Sequence, residues 1–267
     1  ISNLGIKNLT NLTKLNLTGA KFSCTDDGIK HLVNLVSINL NGNNTITDNG
    51  IKHLTNLTSL QLDYNVEITD DGIVNLTNLT DLSLASNKKI TNNGIKHLYK
   101  LNTFSLILNY SITIDGIRHL TNINSLDLTG CSVHNNELQL LTNLTSVKLI
   151  RNSYISNEGL KYLTKLKILH LDFNSRISDD GIRLLTNLTD LDLKSNIISS
   201  GIKELTNLTC LKIDCPNISD EGIKSLINLR NLLALRENIT DEGVKNLTNI
   251  SSLTLINTSA ITDTGIK

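Results

Sequence analysis

Proline is almost missing from this chain of 267 residues: Pro216 is the only one. No linker, low-complexity tract or shift of composition interrupts the sequence either, so a single domain spanning residues 1–267 is expected. Aromatic residues make up 3%, which leaves a core of Leu and Ile. An excess of one charge is absent as well, since Lys+Arg and Asp+Glu both number 25. A nucleic-acid binder needs a basic footprint to displace counterions, so no nucleic-acid partner is expected. No apolar run approaches the ~20 residues of a membrane span. The four cysteines (Cys24, Cys131, Cys210, Cys215) show neither zinc spacing nor a cluster at either end. A Cys210–Cys215 disulfide would strain so short a strand segment, so thiols are expected. There is no glycine-rich phosphate cradle and no convergent Ser/His/Asp set, which excludes most catalysis and implies no cofactor and no metal.

What is present is one phrase, repeated from end to end. Leu54-Thr55-Asn56-Leu57-Thr58-Ser59-Leu60-Gln61-Leu62-Asp63-Tyr64-Asn65 is followed by Ile68-Thr69-Asp70-Asp71-Gly72-Ile73. Further copies start at Leu9, Leu32, Leu76, Leu98, Leu120, Leu141, Leu163, Leu185, Leu205, Leu226 and Leu247, a spacing of 20 to 23 residues. A fixed period in this range means a solenoid, whose usual product is a surface. About eleven complete repeats are expected, with partial ones at both ends. Ile1 opens in mid-motif and Lys267 follows Gly265-Ile266, so both ends read as cut from a longer protein.

Each copy divides into a strand half and a helix half. The alternation around Leu60 and Leu62 predicts a half-buried strand with Ser59, Gln61 and Asp63 on the opposite face. Asn65, with Asn43, Asn87, Asn109, Asn152, Asn174 and Asn196 in the same slot, carries donors and acceptors for the turn that leaves the sheet. Cys131 fills that slot once. Thr69 and its counterparts, Thr25, Thr47, Thr91, Ser156, Ser178, Ser219, Thr240 and Thr262, are expected to cap a short helix, with acids following. Acid and base four apart (Asp26 with Lys30, Asp48 with Lys52, Asp179 with Arg183, Asp220 with Lys224, Asp241 with Lys245) predict helix-surface pairs. The glycine before Ile73 marks a close approach between neighbouring helices. Asn135-Asn136-Glu137-Leu138 lacks that glycine, and Leu229–Leu235 reads as one residue too long, so local bulges are expected at these places and at Pro216. More than a dozen Asn-x-Ser/Thr triplets read as a structural phrase in a chain that does not meet glycosylation, which points to a cytoplasmic or bacterial setting.

Leu-x-x-Leu-x-Leu-x-x-Asn followed by a helical segment resembles the leucine-rich-repeat family over essentially the whole chain. Ile-Thr-Asp-x-Gly-Ile resembles the cysteine-containing class of F-box receptors, and Leu-Thr-Asn-Leu-Thr resembles internalin-like repeats of bacterial surface proteins. Similar mixed repeats occur in bacterial effectors that act inside host cells. The resemblance implies an α/β horseshoe with a concave parallel sheet, short convex helices and a protein partner on the concave face. The function expected is therefore protein recognition within a larger intracellular or host-directed protein. A ubiquitin-ligase substrate receptor, a surface adhesin and a spacer for a missing catalytic domain are the other readings.

Outward strand positions are where recognition residues can depart from the repeat. Early copies show small polar groups, such as Asn16, Asn39, Ser37 and Ser83. Later ones bring Lys148, Ile150 and Arg151 beside His170, Asp172 and Phe173, then Asp190, Asp192 and Lys194. Aromatic and Arg side chains bordered by charge are typical of interface hot spots, so this patch is the candidate partner site, with Tyr64 a smaller one. Lys148, His170 and Asp192 are expected in one column. His31, His53, His97 and His119 recur at one helical position, which reads as repeat inheritance rather than chemistry.

Overall fold

The computed structural model describes residues 2–19, 23–194, 197, 199–235, 238–256, 261–262 and 265. The chain separates into two compact units, residues 1–131 and 132–267. In the first unit, strands β1 (Lys14–Asn16), β2 (Ser37–Asn39), β3 (Ser59–Gln61), β4 (Asp81–Ser83), β5 (Thr103–Ser105) and β6 (Ser125–Asp127) form a parallel ladder in chain order. The helical turns α1 (Asn3–Ile6), α2 (Asp26–Ile29), α3 (Asp48–Ile51), α4 (Asp70–Ile73), α5 (Asn92–Ile95) and α6 (Ile114–Ile117) alternate with them. The second unit pairs β7 (Ser146–Lys148), β8 (Ile168–Asp172), β9 (Asp190–Lys194), β10 (Cys210–Ile213), β11 (Asn231–Leu235) and β12 (Ser252–Ile256) in the same way. Its helical turns are α7 (Asn135–Leu138), α8 (Asn157–Leu160), α9 (Asp179–Ile182), α10 (Ser199–Ile202), α11 (Asp220–Ile223) and α12 (Asp241–Val244).

The core of each unit is a stack of aliphatic side chains. Leu54, Leu57, Leu60, Leu62, Ile68 and Ile73 of one repeat are all fully buried, and the same positions are buried in neighbouring repeats. A single turn of helix is far below the length that is stable alone, so stacking holds it in place.

Two columns of asparagine join the repeats. Inside, the Asn65 side chain donates to the carbonyls of Leu40 (3.3 Å) and Asn43 (2.6 Å) and accepts from the N–H groups of Glu67 and Ile68. Asn43, Asn87 and Asn109 do the equivalent, and Cys131 substitutes with its thiol 2.7 Å from the Leu106 carbonyl. Asn196, expected in this column, lies outside the described residues. At the surface, the asparagine of Asn-Leu-Thr donates to the preceding repeat: Asn56 to Val33 O, Asn78 to Thr55 O and Asn187 to Thr164 O. The triplets are a structural phrase for this reason.

The helix half differs from expectation in its ion pairs. The acid after the cap does not reach the base four residues on. Its carboxylate crosses to the next repeat instead: Asp48 accepts from Thr69 N (2.8 Å) and Thr69 Oγ1 (2.7 Å), and Asp26, Asp70 and Asp220 hold Thr47, Thr91 and Thr240 alike. The bases pair with the residue three back: Lys30 with Asp27, Arg183 with Asp180, Lys224 with Glu221 and Lys245 with Glu242. A one-turn helix offers its first side chain sideways to a neighbouring repeat, and two charge-assisted bonds there outweigh one exposed ion pair.

This latch also accounts for the glycine. A Cβ on Gly50 would lie 2.6 Å from Asp26 Oδ1, and one on Gly94 2.5 Å from Asp70 Oδ1. The sequence supplies a natural control. The repeat that lacks the glycine, with Glu137, follows the repeat that has Ile114 where the others carry Asp, Asn or Ser.

Capping hydroxyls behave unevenly. Thr47, Thr69, Thr91, Ser156 and Thr240 accept a helix N–H, whereas Thr25, Ser178 and Ser219 do not. The Thr25 and Ser178 hydroxyls are taken by Asn3 and Asn157 of the preceding repeat. Among the described residues the expected bulges are not formed: β11 pairs residue for residue with β10 and β12, and 135–138 completes a helical turn. Pro216 is exposed and simply accepts from Asn238 Nδ2.

Candidate functional site

The candidate patch lies on the open strand face of the second unit. Register places Lys148 beside His170, His170 beside Asp192, and Asp192 beside Lys212, so the expected column forms. Along the neighbouring row Asp172 pairs with Lys194. Charges on this face are matched across strands: Lys212 Nζ lies 3.0 Å from Asp192, Lys194 Nζ 3.4 Å from Asp214, and His170 Nε2 3.8 Å from Asp190. The bond from Asp192 raises the Lys212 ammonium above its ordinary pKa. Ile150 and Ile168 are half-buried beside these groups.

Phe173 is the focus of the patch. It leaves β8 with φ 54° and is 61% exposed. Arg151, also in the left-handed region with φ 54°, places its guanidinium 6.0 Å from the Phe173 ring centroid, and Lys194 Nζ lies 5.7 Å from it. One ring thus carries two cations, a favourable arrangement for an aromatic face. Both residues occupy a column that in other repeats is Gly19, Gly42, Gly130, Tyr64, Ser86 or Leu108, all with positive φ. Glycine adopts that conformation freely, whereas a bulky side chain costs of order 1–2 kcal/mol there. Tyr64, at φ 56° and 63% exposed, shares the column but belongs to the first unit, among other neighbours.

Asp172 is the strained member. Its Oδ1 is buried without a hydrogen-bond partner, as is Oδ1 of Asn174 two residues on. Burial raises the Asp172 carboxyl above its ordinary range, against the pull of Lys194. Asn174 keeps the bond to a carbonyl 25 residues back, Leu149 O, that Asn65, Asn87 and Asn109 also make, but its amide also turns to the carbonyl of Asp172 in its own repeat.

Lys212 and Asp214 complete the charge network and were missed by sequence reasoning, although they follow the same outward-position rule in the next repeat. Leu233, Leu235 and Ile256 add partly exposed apolar side chains on β11 and β12. Their signal was weaker, because leucine on either face reads as core. Among the described residues no three His, Cys, Asp or Glu side chains converge as metal ligands.

Five stretches, residues 31–54, 53–76, 75–98, 162–185 and 204–226, match the family model described as Leucine Rich repeat. Among solved structures, an internalin (InlF) from Listeria monocytogenes is similar with a TM-score of 0.68 at 27% identity, over 96% of this chain and 84% of the internalin. The TLR13–ssRNA13 complex gives 0.66 at 22% identity, over 93% of this chain and 43% of that one. The Toll–Spatzle complex of Drosophila gives 0.64 at 16% identity, over 96% and 40%. At these lower identities the likeness is one of fold. No curated protein sequence matches the chain. The chain has the α/β leucine-rich-repeat solenoid fold with internalin-like features, and these matches support an interaction scaffold. No described helix is long and apolar enough to cross a membrane.

Proposed function

We propose that residues 1–267 work as one recognition domain that binds a protein partner on the open strand face, with Arg151, Phe173 and Lys194 at the centre of contact. The observation that carries this reading is the exposed ring with two cations on it, built at backbone positions that favour glycine. Strain of this kind persists where surrounding structure imposes it, and it clusters at functional positions. Around the ring, Lys148, Ile150, His170, Asp172, Asp190 and Asp192 supply charge and apolar area without a water-excluding cleft, which suits protein contact better than catalysis. Tyr64 is a second, separate contact.

The likeness to an internalin over nearly the whole chain favours a surface-displayed or secreted setting over the cytoplasmic or host-directed one. The test is affinity capture followed by measurement of Kd with the purified partner. Arg151→Ala with Phe173→Ala is expected to weaken binding about 100-fold, as loss of two hot-spot side chains does. Unchanged affinity would remove the patch from consideration.

A further inference from the structure

The helix side of the first unit carries a feature that partner recognition on the strand face does not use. His31, His53, His97 and His119 follow the helical turns α2, α3, α5 and α6, and all four are exposed. Consecutive turns from α1 to α6 pack side by side, so the four form one interrupted row. The bases on these turns and the segments after them are Lys7, Lys30, Lys52, Lys96, Lys100 and Arg118. The acids are Asp26, Asp48 and Asp70, half-buried in the latches, and Asp27, Asp71 and Asp115, exposed. Six bases and six acids cancel, so the charge of this side is set by the histidines.

The compensation is also loose. Lys30 and Arg118 lie against Asp27 and Asp115, but Lys52, Lys96 and Lys100 lie against the neutral amides of Asn49, Asn93 and Asn78. Asp27 faces both Lys30 and His31. His119 accepts from Arg118 Nε at 3.1 Å, a bond that a second proton on the ring would break, leaving two cations side by side. The second unit is built differently. Its helix side sets nine acids against six bases, Leu140, Tyr162, Leu184, Glu204, Ser225 and Asn246 stand where the histidines would be, and one histidine, His134, sits instead at the start of α7.

We infer that the helix side of the first unit is a proton-gated docking surface for an anionic lipid bilayer. Imidazole is the side chain whose charge changes between about pH 5 and 8. Protons added to the row turn a neutral side into one with an excess of cations, while the helix side of the second unit keeps its excess of acids. Lipid is favoured over an acidic protein because the cations recur with the repeat and form no shaped pocket. Exposed Leu4, Leu9 and Val33 on the same side supply the apolar contact that an interfacial surface uses, and exposed Tyr99 sets its hydroxyl 3.4 Å from His97 Nδ1.

The experiment is co-sedimentation of the whole chain with vesicles of phosphatidylserine and phosphatidylcholine at about pH 7.5 and about pH 5.5. The bound fraction is expected to rise at least about tenfold at the lower pH and to fall again in high salt. His31→Asn, His53→Asn, His97→Asn and His119→Asn together are expected to abolish the rise. Asparagine stands at this position in other repeats (Asn8, Asn75, Asn246), and an unchanged melting temperature confirms the fold. Arg151→Ala with Phe173→Ala should leave lipid binding intact, so this result is independent of the strand-face proposal. No rise at low pH, an undiminished rise in the histidine variant, or equal binding to phosphatidylcholine alone overturns the inference. Capture by soluble polyglutamate or RNA without vesicle binding overturns it in favour of another polyanion.

Discussion

The two units use one repeat to make different open faces. In the first, small polar side chains satisfy each other: Thr18 donates to Asn16 and Asn39, Asn41 to Asp63, Ser83 to Asp63, and Gln61 to Asp81. Its strands are all three residues long, and its inner Asn65, Asn87 and Asn109 side chains each donate twice and accept twice. In the second, β8 to β12 run to four or five residues and the face carries Lys, Asp, His and exposed Phe173. No described residue after Phe173 has a left-handed backbone, and the repeats from Leu185, Leu205 and Leu226 are shorter, at 20 or 21 residues. Regularity and self-satisfaction make a stable, uninformative face. Buried polar atoms without a partner, Asp172 Oδ1 and Asn174 Oδ1, appear where the face is varied.

The largest test of this contrast is removal of the inner asparagine in each unit. Asn65→Ala strands the Asn43 carbonyl and the N–H groups of Glu67 and Ile68, while Leu40 O keeps the Asn43 N–H, and is expected to cost about 3 kcal/mol in denaturant unfolding. Asn174→Ala should cost clearly less, because its Oδ1 is already unpaired. Equal losses would remove the distinction between the columns. Asn65→Cys should recover much of the loss, as Cys131 shows is possible.

A second test concerns the latch. Gly72→Ala drives a methyl group onto the Asp48 carboxylate and is expected to cost about 2 kcal/mol. In an Asp48→Ala background the same change should cost much less, a coupling that a double-mutant cycle reads directly. Additive losses would mean that the glycine serves some other contact.

The smallest effect is expected at Asp172. A carboxyl whose folded pKa is raised penalises the native state above that pKa, and the penalty fades as pH falls through it. Asp172→Asn should therefore raise the melting temperature slightly at neutral pH and flatten its dependence on acid pH. A lowered melting temperature at neutral pH would show the charge to be stabilising.

Much of this was legible in the residues. Leu60, Leu62 and Asn65 announce strand, core and turn by spacing alone, and Lys148, His170 and Asp192 could be aligned because each repeat contributes the same offset. Asp48 was misread because sequence shows its neighbour at four residues but not the threonine 21 residues on. The bulge expected near Leu229–Leu235 failed because a run of leucines does not say which face each one takes. The cations around Phe173 could be placed near it, but their approach to its ring could not.

By itself the sequence determined the period, and with it the strands, the helical turns, the buried leucines and the asparagine columns, since each follows from contacts that recur at a fixed spacing. Only the tertiary structure decided which partner each polar side chain takes. Asp26, Asp48 and Asp70 could satisfy their charge within their own helix or across the stack, and the geometry of a single helical turn sends them across. The same stacking brings Arg151 and Lys194, far apart along the chain, within about 6 Å of one ring.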